Sequence, residues 1–164
     1  MRLSNAPVET SAAPQLSVRE VNAENVDALM RLEVLPGQRT LISPVARSLA
    51  QVAYEPAGSA HALYTGDEPV GLLLLYDARQ DKKKPAPQLY LWRLLIDARH
   101  QHRGLGRQAV AWVVEEGRRM GMETVGLSHV DVAGHAGGFY EKLGFAYTGE
   151  VDGVERKMIF TLAR

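Results

Sequence analysis

The residues Leu89 to Asp97 are almost continuously apolar. A strand of that character has no solvent face, so it belongs in the interior of a sheet covered on both sides. A loop follows. From Gly104 to Met120 the residues Gly106, Ala109, Val110, Val113, Val114 and Gly117 then fall on one stripe at helical spacing, and Gly121 is placed to end the helix. Glu123 to Ser128 is again strand-like. Strand, helix and strand in that order form a parallel crossover, which makes the domain mixed α/β.

The rest of the chain is organised around that unit. Met1 to Gln15, rich in Ser, Ala, Pro and Thr, is predicted to be a mobile N-terminal tail, with the folded domain over 16–164. Leu16 to Val21 is a first strand. Asn22 is placed to cap a helix from Ala23 to about Glu33, broken at Pro36-Gly37. A second helix starts at Ser43-Pro44, with the proline at its first position, and ends near Tyr54. His61 to Tyr64 and Pro69 to Asp77 form a hairpin turning at Gly66 to Glu68, and Ala78 to Gln88 is a solvated loop with Lys82, Lys83 and Lys84 at its tip. Ala136 to Leu143 is a helix stopped at Gly144. Phe145 to Thr148 and Val154 to Leu162 are the last strands, turning at Asp152-Gly153. The expected architecture is a single α/β (α+β) domain with a mixed central sheet of about six to seven strands flanked by about four helices.

Composition narrows the function classes. Nineteen basic and nineteen acidic side chains cancel, without the basic excess of a nucleic-acid binder. The absence of cysteine excludes disulfides, a thiol nucleophile and thiolate metal sites. The longest wholly apolar run, Val70 to Tyr76, is far short of the roughly 20 residues that span a bilayer, and no signal-like segment opens the chain. A cytoplasmic location without a membrane partner is the expectation. No His/Asp/Glu set has metal-ligand spacing, so no metal is expected, and no nucleophile elbow points to an acyl-enzyme.

The loop after Asp97 carries the chemistry. Arg99, His100, Gln101, His102 and Arg103 run into Gly104-Leu105-Gly106, where the helix begins, and Arg107 follows. The first turn of a helix has N–H groups without intrahelical partners and a partial positive charge. Glycines let an anion approach, and the basic side chains add formal charge. Together they make a phosphate or pyrophosphate site. Gly104 to Ala109 also matches the dinucleotide pattern G-x-G-x-x-A, with Glu123 downstream. That pattern needs a glycine closing the strand directly and an acidic residue ending the next one. Here a loop separates Asp97 from Gly104, Glu123 begins its strand, and the chain has too few parallel units for a two-half dinucleotide fold.

Gln101-His102-Arg103-Gly104-Leu105-Gly106 after a long central strand, with Phe139-Tyr140-Glu141-Lys142-Leu143-Gly144-Phe145 one strand and one helix later, resembles the GNAT superfamily of N-acetyltransferases, and the element order agrees from Ser17 to Leu162. Leu91-Trp92-Arg93-Leu94-Leu95-Ile96-Asp97, Ile42-Ser43-Pro44, Tyr54-Glu55-Pro56 and Thr148-Gly149-Glu150 look like the spermidine/spermine (diamine) N-acetyltransferase branch. The resemblance implies acetyl-CoA as co-substrate, with its phosphates on Gln101, His102, Arg103, Gly104, Leu105, Gly106 and Arg107. It also implies a pantetheine arm along Arg93 to Ile96, with Leu94, Leu95 and Ile96 facing it, and Tyr140 as general acid. Ala133 stands where many relatives have an asparagine that contacts the pantetheine arm.

A phenol is protonated at neutral pH and can protonate a departing thiolate. The amine must lose a proton before it attacks, and Glu33, Glu55 and Asp77 are the candidate bases, with His129 and His135 flanking the acceptor side. His100 and His102 are expected to face solvent or phosphate, and His61 to begin a strand. The expected acceptor is a small-molecule amine, a polyamine or diamine on the branch resemblance. A protein N-terminus or lysine is the alternative acceptor, and a non-catalytic acyl-CoA-binding domain the alternative class. Exposed strand edges near the C-terminus leave room for a homodimer.

Overall fold

Two apolar strands lie side by side and serve two different cores. In the computed structural model, which describes residues 13–130 and 136–163, β3 (Glu68–Asp77) and β4 (Gln88–Ile96) occupy the middle of one seven-stranded sheet. Leu73 and Leu75 of β3 enter a core shared with α3 (Leu105–Arg119), whereas Leu72 and Leu74 enter a second core with α1 (Val26–Met30) and α2 (Val45–Ala53). Side chains alternate between faces along a strand. A sheet covered by helices on both faces therefore needs apolar residues at both parities, which is why these stretches read as continuous.

The strand order is β1-β2-β3-β4-β5-β7-β6, adding β1 (Leu16–Glu20), β2 (Gly58–Thr65), β5 (Thr124–Val130), β6 (Ala146–Asp152) and β7 (Glu155–Thr161). Every neighbouring pair is antiparallel except β4 and β5, which are parallel and joined through α3 as expected. The fourth helix, α4 (Ala136–Lys142), lies against β5. No helix among the described residues is long and apolar enough to cross a membrane.

Several boundaries differ from expectation for local reasons. The first helix is much shorter than Ala23 to Glu33. The Asn22 side chain accepts from the backbone N–H groups of Glu24 and Asn25, each at 3.1 Å, which fixes a turn there. At the other end the N–H of Glu33 donates to the Asp97 carboxylate at 3.0 Å, drawing the chain out of the helix. Pro44 is the N-cap of α2 rather than its first helical residue, with ψ 152°. In α3 the buried stripe begins at Leu105, not Gly106. His61 lies within β2 rather than at its start, with its ring 5.3 Å from that of Trp112. The expected N-terminal tail falls largely outside the described residues, as do Ala133 and His135.

Candidate active site

The site is built on a failure of strand pairing. Gln88 to Leu91 of β4 pair with Thr124 to Leu127 of β5, and there the ladder stops. Both strands continue, β4 to Ile96 and β5 to Val130, with no register between them. At the same point β4 bulges against β3. Leu91 pairs with Leu75 and Arg93 with Leu74, so Trp92 is the extra residue. A bulge re-aims side chains. Trp92 packs on the α1–α2 core, and the next residue, Arg93, also reaches α2, donating to Ser48 Oγ at 3.2 Å and Gln51 Oε1 at 2.5 Å. Burial and the charge of Arg47 lower the Arg93 pKa, and Glu155 opposes them.

The loop beyond β4 is pinned at both ends. Asp97, 3% exposed, accepts from the N–H of Glu33, the N–H of Arg99 and Arg99 Nε, the last at 2.8 Å. Burial pushes its pKa up, but the bonds from Arg99 and Glu33 outweigh burial and hold it below the usual value. Gln101 Nε2 donates to the Ile96 carbonyl at 3.0 Å and to Gln38 Oε1 at 2.8 Å, tying the loop to the α1–α2 connection. His100 does not face solvent or phosphate as expected. It is 6% exposed, with Nε2 3.1 Å from Glu68 and Nδ1 3.0 Å from Arg103. A guanidinium can only donate, so Nδ1 is the acceptor and the proton sits on Nε2, toward Glu68. Arg99 and Arg103 thus hold the loop's own groups, and His102 and Arg107 are exposed.

The turn into α3 requires left-handed backbone, with φ 60° at His102 and 77° at Gly104, the N-cap. A Cβ built on Gly104 would meet nothing, and one on Gly106 would meet only Phe139 Cζ of α4, at 3.6 Å. The first-turn N–H groups of α3 therefore open onto space that side chains leave clear, between exposed basic residues. That fits a pyrophosphate group. Among the described residues, the β5-facing backbone edge of β4 beyond Leu91 has no strand partner, which fits an amide-bearing arm.

The splayed strands enclose a cavity of about 650 Å³, lined among others by Gln38, Trp92, Arg93, Leu94, Ser128, His129, Tyr140 and Glu155. Tyr140 packs edge-on against Phe139 and Phe145, and burial raises its pKa to about 12. His129, 8% exposed, is engaged at both nitrogens: Nδ1 lies 3.1 Å from the Val130 carbonyl and Nε2 2.9 Å from the Tyr147 hydroxyl. Carbonyls only accept, so Nδ1 carries the proton and Nε2 accepts from Tyr147. A second cavity, about 600 Å³, is lined by Tyr76, Tyr90, Trp92, Glu55, Asp81 and Glu150, with Lys84 and Lys157. Tyr90, Trp92 and Leu127 line both.

Of the carboxylates singled out from sequence, Glu55 lines the second cavity and caps the N–H of Ala57 at 3.1 Å. Glu33 is exposed and paired with Arg39 at 3.4 Å, outside the lining of both cavities. Asp77 is held by Arg79 at 2.7 Å. Ser128, Tyr90 and Glu155 escaped the sequence reading. The only available signal was the alternation of the last strand, which puts Glu155 in phase with Lys157 and Ile159.

Residues 26–145 match the model of the acetyltransferase (GNAT) family, and the chain belongs to that family. It is an acetyl-CoA-dependent N-acetyltransferase. No curated protein matches it in sequence. Among solved structures it resembles an acetyltransferase from Thermus thermophilus, with 24% identity, 92% of this chain and 99% of the other covered, and TM-score 0.73. It also resembles the PaiA N-acetyltransferase of Thermoplasma acidophilum in complex with coenzyme A, with 14% identity, 90% and 99% covered, and TM-score 0.66. A third is the ribosomal-protein-S18-alanine N-acetyltransferase of Escherichia coli, with 17% identity, 92% and 96% covered, and TM-score 0.67.

Proposed function

We propose that the chain acetylates the primary amine of a small molecule, with Tyr140 as general acid, and that the acceptor is a diamine or polyamine. The observation that carries the acid role is the position of Tyr140. It lines the cavity between the splayed strands, and burial keeps its proton on at every physiological pH. The acetyl donor enters with its phosphates at the N–H groups of Gly104, Leu105 and Gly106 and its arm along Leu94 to Ile96, which brings the thioester into the cavity that Tyr140 lines. An N–H of Leu94 or Leu95 would take the oxyanion. Amine nitrogen forms a bond to the carbonyl carbon, the C–S bond breaks, and the thiolate takes the Tyr140 proton.

The second cavity supports the acceptor class. Tyr76, Tyr90 and Trp92 give it aromatic walls, and Glu55, Asp81 and Glu150 bring three carboxylates against the two ammonium groups of Lys84 and Lys157, the latter 3.3 Å from Glu150. Aromatic faces and carboxylates both attract ammonium groups. The structural relative from Escherichia coli is named for a protein N-terminus instead, and the test below includes peptides for that reason. The exposed edge strand β6, with Val151 63% exposed, is the surface we assign to a homodimer. The test is incubation with acetyl-CoA and a panel of mono-, di- and polyamines, amino acids and peptides, reading free thiol and the mass of the product. Acetylated diamine formed faster than any monoamine or peptide product supports the reading. Saturable acetyl-CoA binding without turnover of any acceptor sinks it.

A further inference from the structure

His129, beside Tyr140 at 6.5 Å between rings, points to the α3–α4 side. Ser128, the preceding residue of β5, projects to the other side by strand alternation. There Ser128 Oγ donates to Glu155 Oε2 at 2.6 Å, and both line the cavity that Tyr140 also lines. Lys157 and Ile159, in phase with Glu155 along β7, line the second cavity, and Glu155 lines the adjoining one that Tyr140 lines. Of the groups singled out from sequence, Glu33 and Asp77 are paired with arginines, Glu55 lines the second cavity but not the one that Tyr140 lines, and the two nitrogens of His129 are already used. Glu155 has one oxygen fixed by Ser128 and a side chain open to solvent, through which a captured proton can leave.

We propose that Glu155, oriented by Ser128, is the general base that takes the proton from the acceptor ammonium. The inference rests on the acetyl transfer proposed above. One ammonium proton passes to the Glu155 carboxylate, and the freed nitrogen lone pair attacks the thioester carbon. As the C–S bond breaks, the thiolate takes the Tyr140 proton, and the second nitrogen proton restores the phenol. Glu155 then releases its proton to water, so one proton leaves per turnover. Among the described residues, the charged and titratable groups around Glu155 are Arg93 and Tyr90 on β4, Lys157 on its own strand and Asp152 opposite it on β6.

The test is the pH profile of kcat/KM for Glu155→Gln with the best amine of the panel, alongside equilibrium titration with acetyl-CoA. Loss of the base should lower kcat/KM about 10²-fold near pH 7. The deficit should shrink toward pH 10, where an alkylamine of pKa near 10.4 supplies its own neutral form, and acetyl-CoA affinity should be unchanged. Ser128→Ala, which keeps the carboxylate, should lose about tenfold with the same pH trend. If Glu155→Gln does not fold, that trend in Ser128→Ala decides alone. Wild-type rates in a folded Glu155→Gln, or a loss equal at every pH, overturn the inference while leaving acetyl transfer intact. A wild-type chain that acetylates no amine overturns both.

Discussion

β4 and β5 behave as two different pairs along their length. Over Gln88–Leu91 and Thr124–Leu127 they are an ordinary parallel ladder, and Leu89, Leu91, Val125 and Leu127 are at most 4% exposed against α3. Over Trp92–Ile96 and Ser128–Val130 the same strands carry Arg93, Ser128 and His129 and enclose a cavity. One crossover thus supplies both the rigid core and the place where a substrate can enter, and the change between them takes a single residue, the bulge at Trp92. Rigidity on one side of that point is what can position groups on the other.

If this division holds, substitutions on the two sides should fail differently. The largest effect is expected for Tyr140→Phe. It should lower kcat by about 10²–10⁴-fold with little change in Tm or acetyl-CoA affinity, measured by steady-state kinetics and thermal unfolding. Because burial holds the Tyr140 proton to about pH 12, the wild-type rate should show no decline from this group at lower pH. Next, Leu127→Ala in the paired half should cost about 2–5 kcal/mol in denaturant unfolding. Comparable destabilisation by Tyr140→Phe would erase the contrast.

Asp97→Asn, at the end of the splayed half, should cost about 1–3 kcal/mol at pH 7. The folded pKa of Asp97 is depressed, so its stabilisation is complete above the unfolded carboxylate pKa of about 3.9 and fades as pH falls through the lower folded value. The difference between wild type and variant should therefore narrow in acid, which urea titrations at several pH values would show. The smallest effect is that of Gly104→Ala. Space is available there, so the cost is the left-handed backbone alone, about 1–2 kcal/mol. It should be accompanied by weaker acetyl-CoA binding, since the loop geometry sets the N–H groups.

The crossover was legible in the sequence because burial on both faces leaves an apolar run that few other environments produce, and the helix after it carries a clean stripe. The glycine loop was legible because left-handed turns and close anion approach both favour glycine. Other features had no local signature. The length of α1 was decided by Asp97, distant in the chain, taking the N–H of Glu33. The burial of His100 depends on Glu68 and Arg103 arriving from either side. The bulge at Trp92 lies inside a stretch whose pattern shows nothing unusual, and it alone brings Arg93 to the α2 face. Glu155 follows a turn where charged residues are unremarkable, and only the β5–β7 register brings it to Ser128.

The divergence of β4 from β5 leaves the sheet with an edge in its own interior. Edges are ordinarily at the margin, where water satisfies them. On the reading proposed above, the amides of the donor's arm complete this one, so the ligand contributes to folding as well as to chemistry. Binding to the native state alone stabilises it by RT ln(1 + [L]/Kd), about 2.7 kcal/mol at a hundredfold excess over Kd. The free energy of the fold then depends on the supply of its acetyl donor, and persistence of the protein in a cell becomes coupled to the abundance of that metabolite.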